Sequence, residues 1–156
     1  MIRGKSGYTL IEIIIVITIL TIMMGGALAS FANFRDKNTA QSEALVVADR
    51  LRKIQAKASA VELPDGCTGA VNFQVTMSGS DLSVKANCSG GTVIDIDGLG
   101  LSLTFSTYLS SYDLIFDSRT GNATPLDIDV CARNHQYRIN INQVAFVSRP
   151  VYIGTC

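Results

Sequence analysis

The sequence predicts an α+β protein, a long N-terminal helix packed on an antiparallel β-sheet, and three observations predict it. An apolar run opens the chain, and its polar continuation keeps a helical apolar stripe as far as Val61. Beyond Pro64-Asp65-Gly66 the periodicity changes from helical to alternating. The 156 residues carry 13 basic and 13 acidic side chains and only three prolines, one domain's worth of ordered chain. A net charge of zero argues against the whole-chain basic excess of a dedicated nucleic-acid binder, so any nucleic-acid contact must rest on a local patch.

Mean hydropathy is +0.29, and nearly all of the excess lies before residue 35. Between Leu10 and Phe34 the one ionisable side chain is Glu12, and as a helix rising about 1.5 Å per residue that stretch crosses a hydrocarbon layer of about 30 Å. Three readings compete for Met1 to Phe34. Arg3 and Lys5, the apolar run and Ala27-Leu28-Ala29 fit a secretory signal cleaved before Ser30. A plain membrane anchor is the second reading, and a short leader cut before a retained apolar segment is the third. Glu12 separates them. A carboxylate in such a run costs roughly 2.5 to 3.5 kcal/mol at a membrane centre, less near an end, and so requires a partner. Cleavage after Gly7 makes the Tyr8 amine that partner, either on the same helix or on a neighbouring subunit.

Lys5-Ser6-Gly7-Tyr8-Thr9-Leu10-Ile11-Glu12 resembles the prepilin processing motif of type IV pilin-like proteins: Gly, an aromatic residue, Thr-Leu-Ile, and Glu at the fifth mature position. Tyr8 stands where Phe is more usual. The resemblance implies cleavage after Gly7 by a prepilin peptidase, N-methylation of Tyr8, and a role for Glu12 in recruiting or aligning subunits in a filament. It implies a pilin-like fold with residues 1–7 as leader, 8–34 as transmembrane and filament-core helix, 35–63 as its amphipathic continuation and 64–156 as a β-rich globular domain. The implied partners are other pilins or pseudopilins, the peptidase/methyltransferase, an inner-membrane assembly platform and membrane lipid. The expected location is the bacterial inner membrane, single-pass with the globular domain in the periplasm, and then the filament.

Gly25, Gly26, Ala27, Ala29 and Ser30 permit close helix approach, Gly26 and Ser30 with small-xxx-small spacing. Each glycine also costs about 1 kcal/mol relative to Ala, so the pair marks a place for local unwinding, and both roles stay open. After Phe34 the stripe Ala44, Val47, Leu51, Ile54, Ala58 and Val61 continues the helix with no proline before Pro64. Then Val71, Phe73, Val75 and Met77 alternate, Ser78-Gly79-Ser80-Asp81 turns, and Leu82, Val84 and Ala86 alternate again, a β-hairpin. Further strands are expected at residues 92–97, 99–105, 112–117, 126–131, 137–141 and 144–148. The tract Tyr112 to Gly121, followed by Tyr137-Arg138-Ile139-Asn140-Ile141-Asn142, resembles the C-terminal part of GspH/FimT-type minor pseudopilins and pilins. The departure is at the end of that part, since the family leads one to expect a small residue such as Gly near Val144-Ala145.

Cys67, Cys88, Cys131 and Cys156 form an even set without C-x-x-C spacing and with His135 as the one imidazole, which points to disulfides in an oxidising compartment rather than to a metal. Pairs Cys67–Cys88 and Cys131–Cys156 are favoured because each flanks a hairpin-like stretch, and each would stabilise by about 3 kcal/mol through chain entropy. Four reduced buried thiols are the alternative. Residues 35–57 carry six basic and three acidic groups, net +3, and residues 58–129 two basic and nine acidic, net −7. Arg50, Arg52, Lys53 and Lys57 thus either meet an acidic surface on a neighbour or form a solvated helix face.

Arg133, His135, Arg138 and Arg149 make a modest basic group, and Arg133, Arg138 and Arg149 are the candidate DNA contacts, with surface solvation the competing reading. Asp95-x-Asp97-Gly98 has too few ligands for calcium and reads as a turn. The sequons at Asn87 and Asn122 are weak in a bacterial context. Catalysis would need Asp113, Asp117, Ser118 and His135 to converge, and no nucleophile, phosphate-loop or metal motif supports it, so no enzyme and no cofactor are expected. The leading expectation is a minor pilin or pseudopilin of a type IV pilus, type II secretion or DNA-uptake filament. The alternative is a pilus-associated DNA- or surface-binding receptor module.

Overall fold

The stripe between Ala44 and Ala58 becomes the packing face of α1, which spans Leu10–Ser59. The computed structural model describes residues 9–60, 62–69, 71–96, 101–102 and 108–156. Val61, Asp97, Gly98 and most of the strand expected at 99–105 lie outside the described residues. The chain divides into two compact units, residues 1–36 and 37–156.

In the first unit the described residues are Thr9 and the helix from Leu10 onward, which runs through Gly25 without a break. Thr9 starts it: its hydroxyl and its carbonyl both accept from the Glu12 backbone N–H, at 3.4 and 3.1 Å. Along the apolar stretch the described large apolar side chains are exposed, from Leu10 and Ile11 to Phe31 and Phe34. Gly25 and Ser30 are exposed too, while the surroundings of Gly26, Ala27 and Ala29 lie outside the description.

In the second unit the helix buries Ala40, Ala44, Val47, Ala48, Leu51, Ile54 and Ala58 against a sheet. Beyond the helix, Pro64 accepts from the Cys67 N–H at 3.0 Å as the chain turns toward the first strand. The described strands are β1 (Val71–Gly79), β2 (Asp81–Cys88), β3 (Val93–Asp95), β4 (Leu101–Ser102), β5 (Tyr108–Asp117), β6 (Leu126–Ala132), β7 (His135–Ile141) and β8 (Val151–Gly154). They pair antiparallel in the order β3-β2-β1-β5-β6-β7-β8, with β4 also on β2. Because side chains alternate along a strand, Val71, Phe73, Val75 and Met77 on β1 all point to the buried side. Leu82, Val84 and Ala86 on β2, Leu114 and Phe116 on β5, and Ile139 and Ile141 on β7 do the same.

Two turns set the register. Ser78 pairs with Asp81, leaving Gly79 (φ 61°) and Ser80 as a two-residue loop. Ala132 pairs with His135, so Arg133 (φ 48°) and Asn134 (φ 64°) form a loop with both residues left-handed, the type I′ geometry. Among the described residues β5 meets β6 at Tyr108↔Cys131 and Leu109↔Val130, and it then runs along β1.

Several expected boundaries move. β5 begins at Tyr108 rather than Tyr112, and β3 is shorter than 92–97. Residues 144–148 are not a strand. Asn142 Oδ1 accepts the Phe146 N–H at 2.8 Å and the Ala145 N–H reaches the Asn142 carbonyl at 3.0 Å, closing a tight turn around Ala145 (φ 60°). The strand that returns beside β7 is β8, later in the chain.

The structure joins Cys67 to Cys88 and Cys131 to Cys156, with Cα separations of 5.6 and 6.1 Å. These are the two hairpin-flanking pairs. The first ties the approach to β1 to the end of β2. The second ties β6 to the chain just beyond β8, across β7.

Candidate functional site

Glu12 is the third residue of α1, and Thr9-Leu10-Ile11-Glu12 has the T-x-x-E spacing of a capping box. An acid in the first turn also faces the positive end of the helix dipole, worth about 0.3 to 1 kcal/mol. Glu12 therefore has a local reason to sit where it does, in addition to any partner. It borders an open groove with Ile13, Val16 and Ile17. Thr18 and Thr21 do not add unmet polarity: Thr18 donates to the Ile14 carbonyl at 2.5 Å and Thr21 to the Ile17 carbonyl at 2.9 Å. This part of the helix is long and apolar enough to cross a membrane, and none of its most apolar window is buried within the chain. Gly7 and Tyr8, the expected processing residues, lie outside the described residues.

Residues 2–28 match the family described as the prokaryotic N-terminal methylation motif, a span that contains Gly7, Tyr8 and Glu12. Among solved structures the chain is similar to the minor pseudopilin EpsH from the Type 2 Secretion System of Vibrio cholerae. The TM-score is 0.53 at 14% identity, over 76% of this chain and 96% of that one, a likeness of fold. The fold is pilin-like. No curated protein matches it.

The residues of the expected basic group differ in their surroundings. Arg133 sits at the tip of the β6/β7 loop, and Arg149 is exposed in the segment leading to β8. Arg138 lies on β7 opposite Asp129, and its guanidinium donates to both carboxylate oxygens, Nε at 2.7 Å and NH2 at 2.9 Å, with Asp127 4.0 Å away. The Asp129 carboxylate raises the Arg138 pKa above its ordinary value, first through that hydrogen bond. The pair offsets the Arg138 charge and uses two of its five N–H donors. His135, expected at the surface, is 8% exposed, beside the Tyr152 ring.

The basic helix face is engaged within the chain itself. Arg52 donates to the carbonyls of Val147 and Ser148, from NH2 at 3.3 and 3.0 Å, and so fastens the helix to the turn after β7. Lys53 pairs with Asp49 at 2.8 Å and Lys57 with Glu62 at 3.2 Å. Lys53 lowers the Asp49 pKa, chiefly through that hydrogen bond. Nothing in the sequence signalled this role of Arg52, because its partners are backbone carbonyls that only the fold brings near.

The residues weighed for catalysis are used structurally. The Ser118 hydroxyl bonds both the N–H and the carbonyl of Val71, extending the β1/β5 ladder. Asp113 accepts from Thr76 at 2.8 Å on the outer face, and Asp117 accepts the N–H groups of Arg119 and Thr120, at 2.7 and 3.3 Å, in a turn. Among the described residues no group of three metal-ligating side chains forms, and Asp95 faces Lys85 at 4.0 Å.

Proposed function

We propose that this chain is a non-enzymatic structural subunit, a minor pilin or pseudopilin, assembled into a filament by helix packing. The observation that carries the proposal is the coincidence of two independent features. The N-terminal methylation motif spans residues 2–28, and the chain shares its fold with a minor pseudopilin. In this reading a prepilin peptidase cuts after Gly7, the Tyr8 amine is methylated, and residues 8–34 hold the chain in the inner membrane with residues 64–156 in the periplasm. On assembly the apolar helix leaves lipid for the filament core, with the Tyr8 amine and Glu12 setting register between neighbours. The exposure of every described large apolar side chain between Leu10 and Phe34 supports this, since such a surface must be covered by lipid or by other helices.

The DNA-receptor alternative is weakened at Arg138, whose charge Asp129 offsets, and at His135, which is buried. Intact-mass analysis and N-terminal sequencing of the protein from its native host test the proposal. N-methylated Tyr8 is the expected start; a start at Ser30, or retention of Met1 to Gly7, refutes it.

A further inference from the structure

The two disulfides differ in their surroundings. Cys67 and Cys88 are buried, at 8% and 7% exposure, whereas Cys156 is exposed and Cys131 is half-buried. Thiol–disulfide exchange requires a thiolate to reach a sulfur, so access decides which bond reacts first.

The accessible bond holds a weakly buried piece of the fold. β8 lies at the edge of the sheet and pairs only with β7 among the described residues, through Gln136, Tyr137 and Arg138. Its Val151, Tyr152 and Ile153 are 60%, 40% and 42% exposed, so apolar burial contributes little to holding it. Pro150, just before it, has no N–H to give a ladder. β8 nonetheless carries the Tyr152 ring, whose centroid lies 4.4 Å from the Lys37 ammonium, 5.5 Å from the Tyr137 ring and 5.9 Å from the His135 ring. The Tyr137 hydroxyl donates to the Lys37 carbonyl at 3.4 Å. The start of the sheet-packed helix is thus gripped by a strand that Cys131–Cys156 fastens.

We propose that Cys131–Cys156 is a reducible clasp, a substrate for a dithiol oxidoreductase, and that opening it frees β8 from β7 and Lys37 from the Tyr152 ring while Cys67–Cys88 and the β1/β2/β5 core persist. In the exchange a thiolate of the reductant attacks the Cys156 sulfur and Cys131 leaves as a thiolate. The second thiol of the reductant then resolves the mixed disulfide. The reductant ends as a disulfide, and Cys131 and Cys156 as two thiols, so two electrons and two protons pass to the protein. The proposal concerns the sheet unit alone and stands apart from the filament reading.

The full chain in detergent micelles, exposed to dithiothreitol for graded times, alkylated and digested, tests it by peptide mass. Cys131 and Cys156 become alkylated about tenfold faster than Cys67 and Cys88, as access to the sulfur requires. Hydrogen exchange on the partly reduced protein shows lost protection over residues 151–154 with protection kept over residues 71–77. Equal rates, earlier reduction of Cys67–Cys88, or undiminished protection of β8 after its bond has opened each overturn the proposal. A Cys131→Ser, Cys156→Ser double variant gives the second measurement. Loss of protection confined to β8 and Lys37 sustains the clasp, and loss of protection across residues 71–77 shows a general staple and overturns it.

Discussion

Ala145 adopts a left-handed backbone, φ 60°, while its side chain is buried. A β-carbon in that conformation costs about 1 to 2 kcal/mol. Glycine relieves the strain but gives back about 0.5 to 1 kcal/mol of chain entropy. Ala145→Gly is therefore expected to stabilise the sheet unit by up to about 1 kcal/mol, read as a higher urea midpoint with unchanged slope. The departure from a family pattern at Val144-Ala145 was legible in the sequence, but its meaning required the turn from Asn142 to Phe146. Tyr137 gives a pH prediction at the same scale. Burial, and secondarily the Tyr152 phenol, raise its pKa above the ordinary tyrosine value. A raised pKa means that the folded state holds the proton more tightly. The associated stability is complete below the unfolded tyrosine pKa and is lost as pH rises through the folded one. Tyr137→Phe is expected to flatten that alkaline loss in denaturation measured across the tyrosine range.

The elements themselves were largely legible because each buries one face. The three- and four-residue spacing of Ala44, Val47, Leu51, Ile54 and Ala58 and the alternation of Val71, Phe73, Val75 and Met77 follow directly from helical and strand geometry. Ala40 and Ala48 share the helix's buried face and were missed because small residues leave a faint pattern. β8 was missed for a physical reason: an edge strand with exposed Val151, Tyr152 and Ile153 has no alternation to read. The Arg133-Asn134 loop was also obscure, since a type I′ turn normally announces itself with glycine. Leu51→Ala removes a fully buried side chain from the helix–sheet contact and is expected to cost about 2 to 5 kcal/mol, and Phe73→Ala about 3 to 5 kcal/mol. Thermal or urea unfolding checks both. Asn134→Gly relieves one left-handed residue and is expected to stabilise by a fraction of a kcal/mol, up to about 1.

For the whole molecule the question is what Glu12 contributes, because its place in the first turn of α1 suits a local role that competes with the intersubunit one. As the third helical residue after the Thr9 cap it suits the helix start, and that benefit exists in a single chain. A role in filament register depends instead on its full negative charge meeting the Tyr8 amine. Two substitutions separate the roles. Glu12→Gln retains a side chain able to complete a capping box but carries no charge, and Glu12→Ala removes both. If charge pairing governs assembly, both variants are cleaved and methylated at Tyr8 yet remain in the membrane fraction, absent from sheared filaments. If capping governs it, Glu12→Gln enters filaments at the wild-type level and only Glu12→Ala fails. Filament fractions probed by immunoblot, with intact mass confirming the processed N-terminus of each variant, read the difference. The charge account predicts equal failure, because an uncharged amide in apolar surroundings neither needs the amine nor attracts it.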